Sequence, residues 1–188
     1  QLQKVQPYQY QYLPSNDQKV MIVGSGPAGL FCAYVLAMSG QKVTVIERGQ
    51  EIEKREKAVQ DLLEHGLLHS ESNIAFGEGG AGTFSDGKLT TGVKNKRIRY
   101  ILETFVKFGA PEDILYLHKP HIGTDYLRQV VQNMRKFLVS KGVTFLFETK
   151  MIDFQKTESG YQITVLQNYQ KKILNSDLLV LAIGHSAR

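Results

Sequence analysis

The 188 residues contain no tryptophan, one cysteine and five prolines. A single cysteine excludes an internal disulfide framework. Cys32 also lacks a C-x-x-C partner, so a redox dithiol has no support, and such thiol poverty fits a reducing, cytoplasmic setting. Cys32 reads instead as a small core residue of a helix. No apolar run approaches the ~20 residues that cross a bilayer, and no leader pattern opens the chain. No serine stands in a G-x-S-x-G elbow, which leaves hydrolase chemistry unsupported. His65 and His69 are four apart, but Gly66 interrupts the helix that would align them, so no metal site is expected. The 23 Lys and Arg against 18 Asp and Glu give a net charge of +5. Without aromatic interleaving or a recognised module, that charge does not predict nucleic-acid binding. The basic stretch Lys88, Lys94, Lys96, Arg97, Arg99 reads as a solvated loop and helix start, with steering of an anionic substrate or nicotinamide phosphate as the alternative.

Glycine is what the chain has, 17 residues of it, and two clusters carry the reading. The first lies in KVMIVGSGPAGLFCAYVLAMSGQKVTVIERG, Lys19 to Gly49. Val20 to Val23 form a continuous apolar run, the mark of a parallel strand covered on both faces. Gly24 allows the tight turn, Gly26 lets the backbone approach a pyrophosphate, and Gly29 lets the next helix pack close to the strand. Ser25 and Ala28 fill the turn, and Pro27 sits where a first helical residue needs no N–H. The helix directs its free N–H groups and positive dipole end at the phosphates, and Gly40 stops it. Val43 to Ile46 make a second strand, followed by Glu47 and Arg48. Glu47 stands 18 residues after Gly29, close to the ~20 expected for a carboxylate on ribose hydroxyls. A carboxylate there repels a 2′-phosphate and argues against NADP at this position. The combination predicts a dinucleotide site.

The second cluster, Gly77-Glu78-Gly79-Gly80-Ala81-Gly82, also fits G-x-G-x-x-G. No adequate strand precedes it, however, and Thr83 to Lys88 starts no helix, so a second dinucleotide site is rejected. A flexible or cofactor-hugging loop fits better, since its N–H groups can meet a flat or anionic ligand.

These residues carry a resemblance. Lys19 to Gly49 resembles the FAD-binding fold of glutathione-reductase-type oxidoreductases. The strings Ser72 to Phe76, GEGGAGTFSDGKLTT, Lys119 to Asp125 and Leu181 to Arg188 are similar to bacterial FAD-dependent dehydrogenases. The likeness runs from about Tyr8 to the end. It implies FAD as the tightly bound cofactor, with NAD(P)H as a diffusible electron donor and a small-molecule substrate. It also places Gly80, Gly82, Thr83, Ser85, Asp86, Gly87 and Lys88 near the flavin end, and the backbone of Lys150, Met151 and Ile152 at the adenine. Gly184 falls where the wider superfamily has an Ala-Thr-Gly turn; here the turn is Ala-Ile-Gly, without the hydroxyl. His121 and His185 lie in the shared strings and are candidate proton donors, against a purely positioning role. Members of the family continue well beyond Arg188, so the chain reads as the first portion of a longer flavoprotein.

The expected architecture is α/β: a Rossmann-like, FAD-binding, doubly wound parallel sheet with a small antiparallel meander. Residues 1–18 read as a polar lead-in and 19–188 as the FAD-binding domain, incomplete at its C-terminal end. Glu51 to Glu64 predicts a helix whose Glu51, Glu53, Lys54, Arg55 and Glu56 form a solvated face. Ile98, Ile101, Leu102 and Phe105 give a second helical stripe. Leu127, Val130, Val131, Met134 and Leu138 give a third, with Thr124 as N-cap and Gly142 as stop. Val143 to Phe147 predicts a strand, Met151–Phe154, Tyr161–Leu166 and Ile173–Leu174 the meander, and Leu178 to Ile183 a return to the main sheet. The function these expectations favour is two-electron, hydride-type flavin chemistry. An NAD-dependent dehydrogenase and a non-catalytic dinucleotide-binding module are the alternatives.

Overall fold

A computed structural model describes residues 8–184. Its elements run β1 (Lys19–Val23), α1 (Pro27–Met38), β2 (Lys42–Ile46), α2 (Ile52–His65), α3 (Arg97–Lys107), α4 (Thr124–Ser140), β3 (Thr144–Leu146), β4 (Thr149–Thr157), β5 (Gly160–Gln167), β6 (Gln170–Ser176) and β7 (Leu178–Leu181). The four parallel strands stand in the order β3-β2-β1-β7, and β4-β5-β6 form a separate antiparallel sheet. The chain therefore builds outward from β1 on one side and returns to its other side with β7. The carboxyl end of β1 is the switch point of the sheet, the place where such folds bind ligands.

Strand alternation explains the layering. Val20 and Ile22 of β1 face a core shared with Leu30, Ala33 and Tyr34 of α1 and Val130, Met134 and Leu138 of α4. Met21 and Val23 face the opposite way, against Ile46 and against Ile163 and Val165 of β5. Helices thus cover one face of the parallel sheet and the meander covers the other, which is why β1 is apolar at every position after Lys19. Burying each of these aliphatic side chains contributes roughly 1.5–3 kcal/mol.

The meander strands are longer than expected, because their outer residues, such as Gln155, Lys156, Lys171 and Lys172, pair through backbone ladders without burying apolar surface. Thr124 is not an N-cap. Gly123 holds that position, with φ +85°, and the Thr124 hydroxyl donates instead to the Ser85 carbonyl at 2.7 Å. The solvated face expected on α2 is corrected at Arg55, which is fully buried. Glu53 and Glu56 beside it pair with Arg135 and Arg128 of α4. The charge run encodes ion pairs between two helices, and a one-dimensional pattern of charges cannot show that its partners lie 82 and 72 residues away. At the front of the described chain, Tyr10 stacks on Tyr100 of α3 at 5.0 Å, and the Tyr12 and Tyr100 hydroxyls are 2.7 Å apart.

Candidate functional site: a phosphate turn closed by a second glycine loop

At the end of β1 the backbone turns through Gly24 at φ +102°, a conformation closed to side chains, and a Cβ there would lie 2.5 Å from the Ala182 carbonyl oxygen. Gly26 occupies the N-cap of α1 and Pro27 its first position. The N–H groups of Gly26, Ala28 and Gly29 have no acceptor within the helix, so they and the helix dipole form a seat for an anion. A Cβ on Gly26 would meet no atom closer than Gly80 Cα at 3.9 Å, so the space in front of this turn is open.

The second glycine cluster closes that space from the other side. The Gly79 N–H donates to the Ser25 carbonyl at 2.9 Å, and Gly80, at φ +70°, would place a Cβ 3.3 Å from Gly26 Cα. Such contact is possible only backbone to backbone. The loop is pinned rather than flexible: Ala81–Phe84 forms one 3₁₀ turn, and the Thr83 hydroxyl donates to the Glu78 carbonyl at 3.2 Å. Behind it lie two buried charges that the sequence reading did not single out as functional. Arg55 donates to the carbonyls of Asn73 (2.9 Å), Glu78 (2.5 Å) and Ile74 (2.9 Å). Glu78 accepts from the Ile52 N–H at 2.8 Å and from Arg135 Nε at 2.7 Å. Both were hidden in sequence, Arg55 in a charge run and Glu78 between glycines; the one available signal was a carboxylate inside an otherwise uncharged glycine string.

Burial pushes the Arg55 guanidinium down to about 10, against the pull of Glu47 and Glu78, so it stays charged at neutral pH. Burial pushes the Glu78 carboxyl up to about 7, although the Ile52 N–H and Arg135 favour its ionised form. In the unfolded chain the same carboxyl loses its proton near the ordinary value of 4.5. The folded state therefore binds more protons between these values, and stability from this group falls as pH rises through about 7. Denaturation between pH 5.5 and 8 is expected to show a loss of about 2 kcal/mol at most, and Glu78→Gln to flatten the profile. A wild-type profile that rises over this interval contradicts the assignment.

Glu47 follows β2 at the same end of the sheet and is buried. Its Oε2 accepts from the Ser25 N–H and hydroxyl, both at 2.9 Å, and its Oε1 accepts from the Gly49 N–H at 2.9 Å. The carboxylate thus ties β2 to the phosphate turn, and a carboxylate's further lone pairs can still accept from hydroxyls. Arg48 bonds Glu71 at 2.5 Å and lies 4.3 Å from the centre of the Phe76 ring. Lys150 reaches the other oxygen of Glu71 at 2.9 Å. Although partial burial opposes it, hydrogen bonds from Lys150 and Arg48 hold the Glu71 carboxyl below its usual range. Arg48, Glu71 and Lys150 line a cavity of about 380 Å³ together with Gln50, His69, Ser72 and Glu148. Met151 packs on the core between the two sheets. A register shift between Met151 and Asp153 leaves Ile152 without a cross-strand partner, so its backbone stands outside the ladder.

The remaining expected residues fall at the far end of the glycine loop. Ser85 closes the 3₁₀ turn through a bond from its hydroxyl to the Gly82 carbonyl at 2.7 Å. Gly87 accepts the Ile122 N–H at 3.1 Å, and Lys88 forms an antiparallel bridge with His121. Lys88 and Asp86 form an exposed ion pair at 3.1 Å, and His121 is exposed beside them. Gly184, at φ +73°, follows β7 with no atom within 4 Å of a notional Cβ. His185 lies outside the described residues. Gly24–Gly29, Glu47, Gly79–Gly80 and Ala182 are therefore brought together at the carboxyl ends of β1, β2 and β7, whereas Met151 lies on β4 and His121 on the bridge to Lys88. Cys32 is half-buried against the helical core, where burial raises its thiol. Among the described residues no cluster of His, Cys, Asp and Glu could hold a metal, and no helix is long and apolar enough to cross a membrane.

A glycine turn opening a helix at a sheet switch point, with a buried carboxylate on the adjacent strand end, defines a dinucleotide-binding α/β domain. The residues present fit FAD: a Cβ has room at Gly26, whereas one at Gly24 or Gly29 would collide with backbone. The family model of an FAD binding domain matches residues 17–186, and the chain belongs to that family, with FAD as its cofactor. A protein of Clostridium beijerinckii called "Uncharacterized protein" is 43% identical over 168 residues, covering 89% of this chain. The chain spans only 31% of that relative's length. The subunit beta of the NADPH-Fe(3+) oxidoreductase of Geobacter sulfurreducens is 56% identical over 34 residues, 18% of this chain and 5% of that protein. Among solved structures, the 3-ketosteroid-delta4-(5alpha)-dehydrogenase of Rhodococcus jostii aligns with a TM-score of 0.56 at 14% identity, over 93% of this chain and 49% of that one. BexE aligns at 0.54 and 17% identity, over 89% and 32%. At such identities the structural matches establish the fold.

Proposed function

We propose that this chain is the FAD-holding part of a flavin-dependent oxidoreductase that moves two electrons, as hydride, to or from a small-molecule substrate. The observation that carries this reading is the meeting of the two glycine segments, Ser25–Gly26 against Gly79–Gly80, at the carboxyl ends of the parallel strands. The bound flavin supplies the electron-accepting ring, and the chain binds and orients it. In this reading the free N–H groups from Gly26 to Gly29 face the pyrophosphate, and Glu47 accepts from ribose hydroxyls while keeping Ser25 in place. Arg48 and the backbone of Met151 and Ile152 take the adenine side. Gly80, Gly82, Thr83, Ser85, Asp86, Gly87, Lys88 and Gly184 take the flavin side. His121, exposed next to Lys88, and His185 are the two candidate proton donors. The length of the Clostridium relative supports assigning substrate choice to the rest of a longer polypeptide.

The purified protein is expected to carry FAD, identified by mass after denaturation, and to bleach under anaerobic conditions with NADH, NADPH or a reducing substrate. Recovery of NAD in place of FAD would replace this reading with a nicotinamide-dependent dehydrogenase. FAD that no reductant bleaches would leave a dinucleotide-binding module without catalysis.

A further inference from the structure

Glu78 is the point at which α2, α4 and the phosphate turn meet. Its carboxyl is fully buried. One oxygen accepts from the first N–H of α2, Ile52, at 2.8 Å, and the other from Arg135 Nε of α4 at 2.7 Å. Its own backbone anchors the glycine loop: the N–H donates to the Gln50 carbonyl at 3.0 Å, and the carbonyl accepts from Arg55 and Thr83. The next two residues touch the cofactor seat, Gly79 through its bond to the Ser25 carbonyl and Gly80 through its contact with Gly26. No freely rotating segment separates the carboxyl from the turn. One peptide unit joins Glu78 to Gly79.

We propose that Glu78 is a positioning residue for the cofactor: held between α2 and α4, it sets how closely Gly79 and Gly80 stand against Ser25 and Gly26, and thereby how tightly the pyrophosphate of FAD is bound. The proposal rests on the FAD reading above. It follows from what each replacement leaves behind. Alanine strands a buried N–H at Ile52 and leaves Arg135 with Glu53 as its one carboxylate partner. Glutamine keeps the size and one acceptor but turns an amide donor toward a donor. Removing either partner of a buried, charge-assisted pair costs more than the pair itself contributes, and the pinned loop is what can yield.

The experiment is an FAD titration of the deflavinated full-length protein, read by quenching of flavin fluorescence at a temperature where every variant is folded. Glu78→Ala is expected to raise the FAD Kd about 10–100-fold, by analogy with the loss of affinity when outer partners of a metal site are removed. Glu78→Gln is expected to lie between it and wild type. Arg135→Ala and the double variant are expected to fall in the same range as Glu78→Ala rather than to add to it, since each breaks the Glu78–Arg135 pair. Leu138→Ala, one turn beyond Arg135 on α4 but buried in the helical core rather than bonded to Glu78, is expected to lower Tm while leaving Kd within about twofold. Should Glu78→Ala fail to fold, Glu78→Gln and Arg135→Ala carry the comparison. Wild-type binding with Kd unchanged in the Glu78 and Arg135 variants would overturn the proposal alone, making Glu78 purely structural. No FAD binding by the wild type would overturn the FAD reading and this proposal with it.

Discussion

Replacing Arg55 with methionine is expected to be among the most destabilising single changes in this domain, at about 3–5 kcal/mol. Arg55 is fully buried and its three donor nitrogens each serve a different carbonyl, those of Asn73, Ile74 and Glu78. Methionine fills much of the volume but leaves all three carbonyls without a donor, and each buried unpaired group costs about 1–3 kcal/mol. The guanidinium also lies 4.8 Å from the centre of the Phe84 ring, so the same side chain packs the 3₁₀ turn. Glu47 and Glu78, whose charges favour the ionised Arg55, would lose their shared cation. Lysine is no substitute: its single ammonium cannot span three carbonyls in a planar fork. Thermal denaturation should show Tm lower by about 10 °C, taking ~2–4 °C per kcal/mol at this size. A fall under about 2 °C would mean that loop 70–84 is held by other contacts.

Two alanine substitutions only three residues apart in sequence are expected to separate folding from cofactor binding. At Gly29 a Cβ would lie 1.9 Å from the Gly24 carbonyl oxygen, inside the turn itself. Neither atom belongs to a movable side chain, so α1 must shift away from β1, and Gly29→Ala is expected to lose both fold stability and FAD. At Gly26 the backbone is extended, φ −67° and ψ −178°, and the added methyl meets nothing nearer than 3.9 Å. Gly26→Ala should therefore leave the Tm of the FAD-free protein within about 1–2 °C of wild type, as surface changes do. In the FAD reading proposed above, however, its methyl occupies the space through which the pyrophosphate would approach the backbone. The FAD Kd is expected to rise on the order of 100-fold, about 2.7 kcal/mol. Equal FAD affinity in Gly26→Ala and wild type would place the phosphates elsewhere.

The contrast between these positions shows what can be read from residues alone. The roles of Gly24, Gly26 and Gly29 follow from local geometry, because a strand, a turn and a helix within ~10 residues define their own contacts. The β1-α1-β2 unit, the stops at Gly40 and Gly142 and the meander were legible for the same reason: their periodicities are set by neighbours a few positions away. Arg55 was not legible. On a helix so rich in charge, nothing local distinguishes the one guanidinium that turns inward from the side chains around it. Thr124 misled because an N-cap signal is also met by a residue one position into the helix whose hydroxyl has a distant acceptor, here Ser85.

By itself the sequence determined the cofactor class and the layer that holds it. Glycine spacing and an apolar strand are short-range requirements of a backbone meeting a pyrophosphate, and the glycine-rich string from Gly77 to Thr91 narrowed that class to FAD by resemblance. The tertiary structure decided how the seat is closed. Only folding brings Gly79 to Ser25 across 54 residues of chain, and only the tertiary fold sets the carbonyls of Asn73, Ile74 and Glu78 on Arg55 and Arg135 of α4 on Glu78. Buried charges need partners, and here those partners are separated by up to 57 positions. Such a pairing leaves no period in the sequence, so the sequence could not announce it.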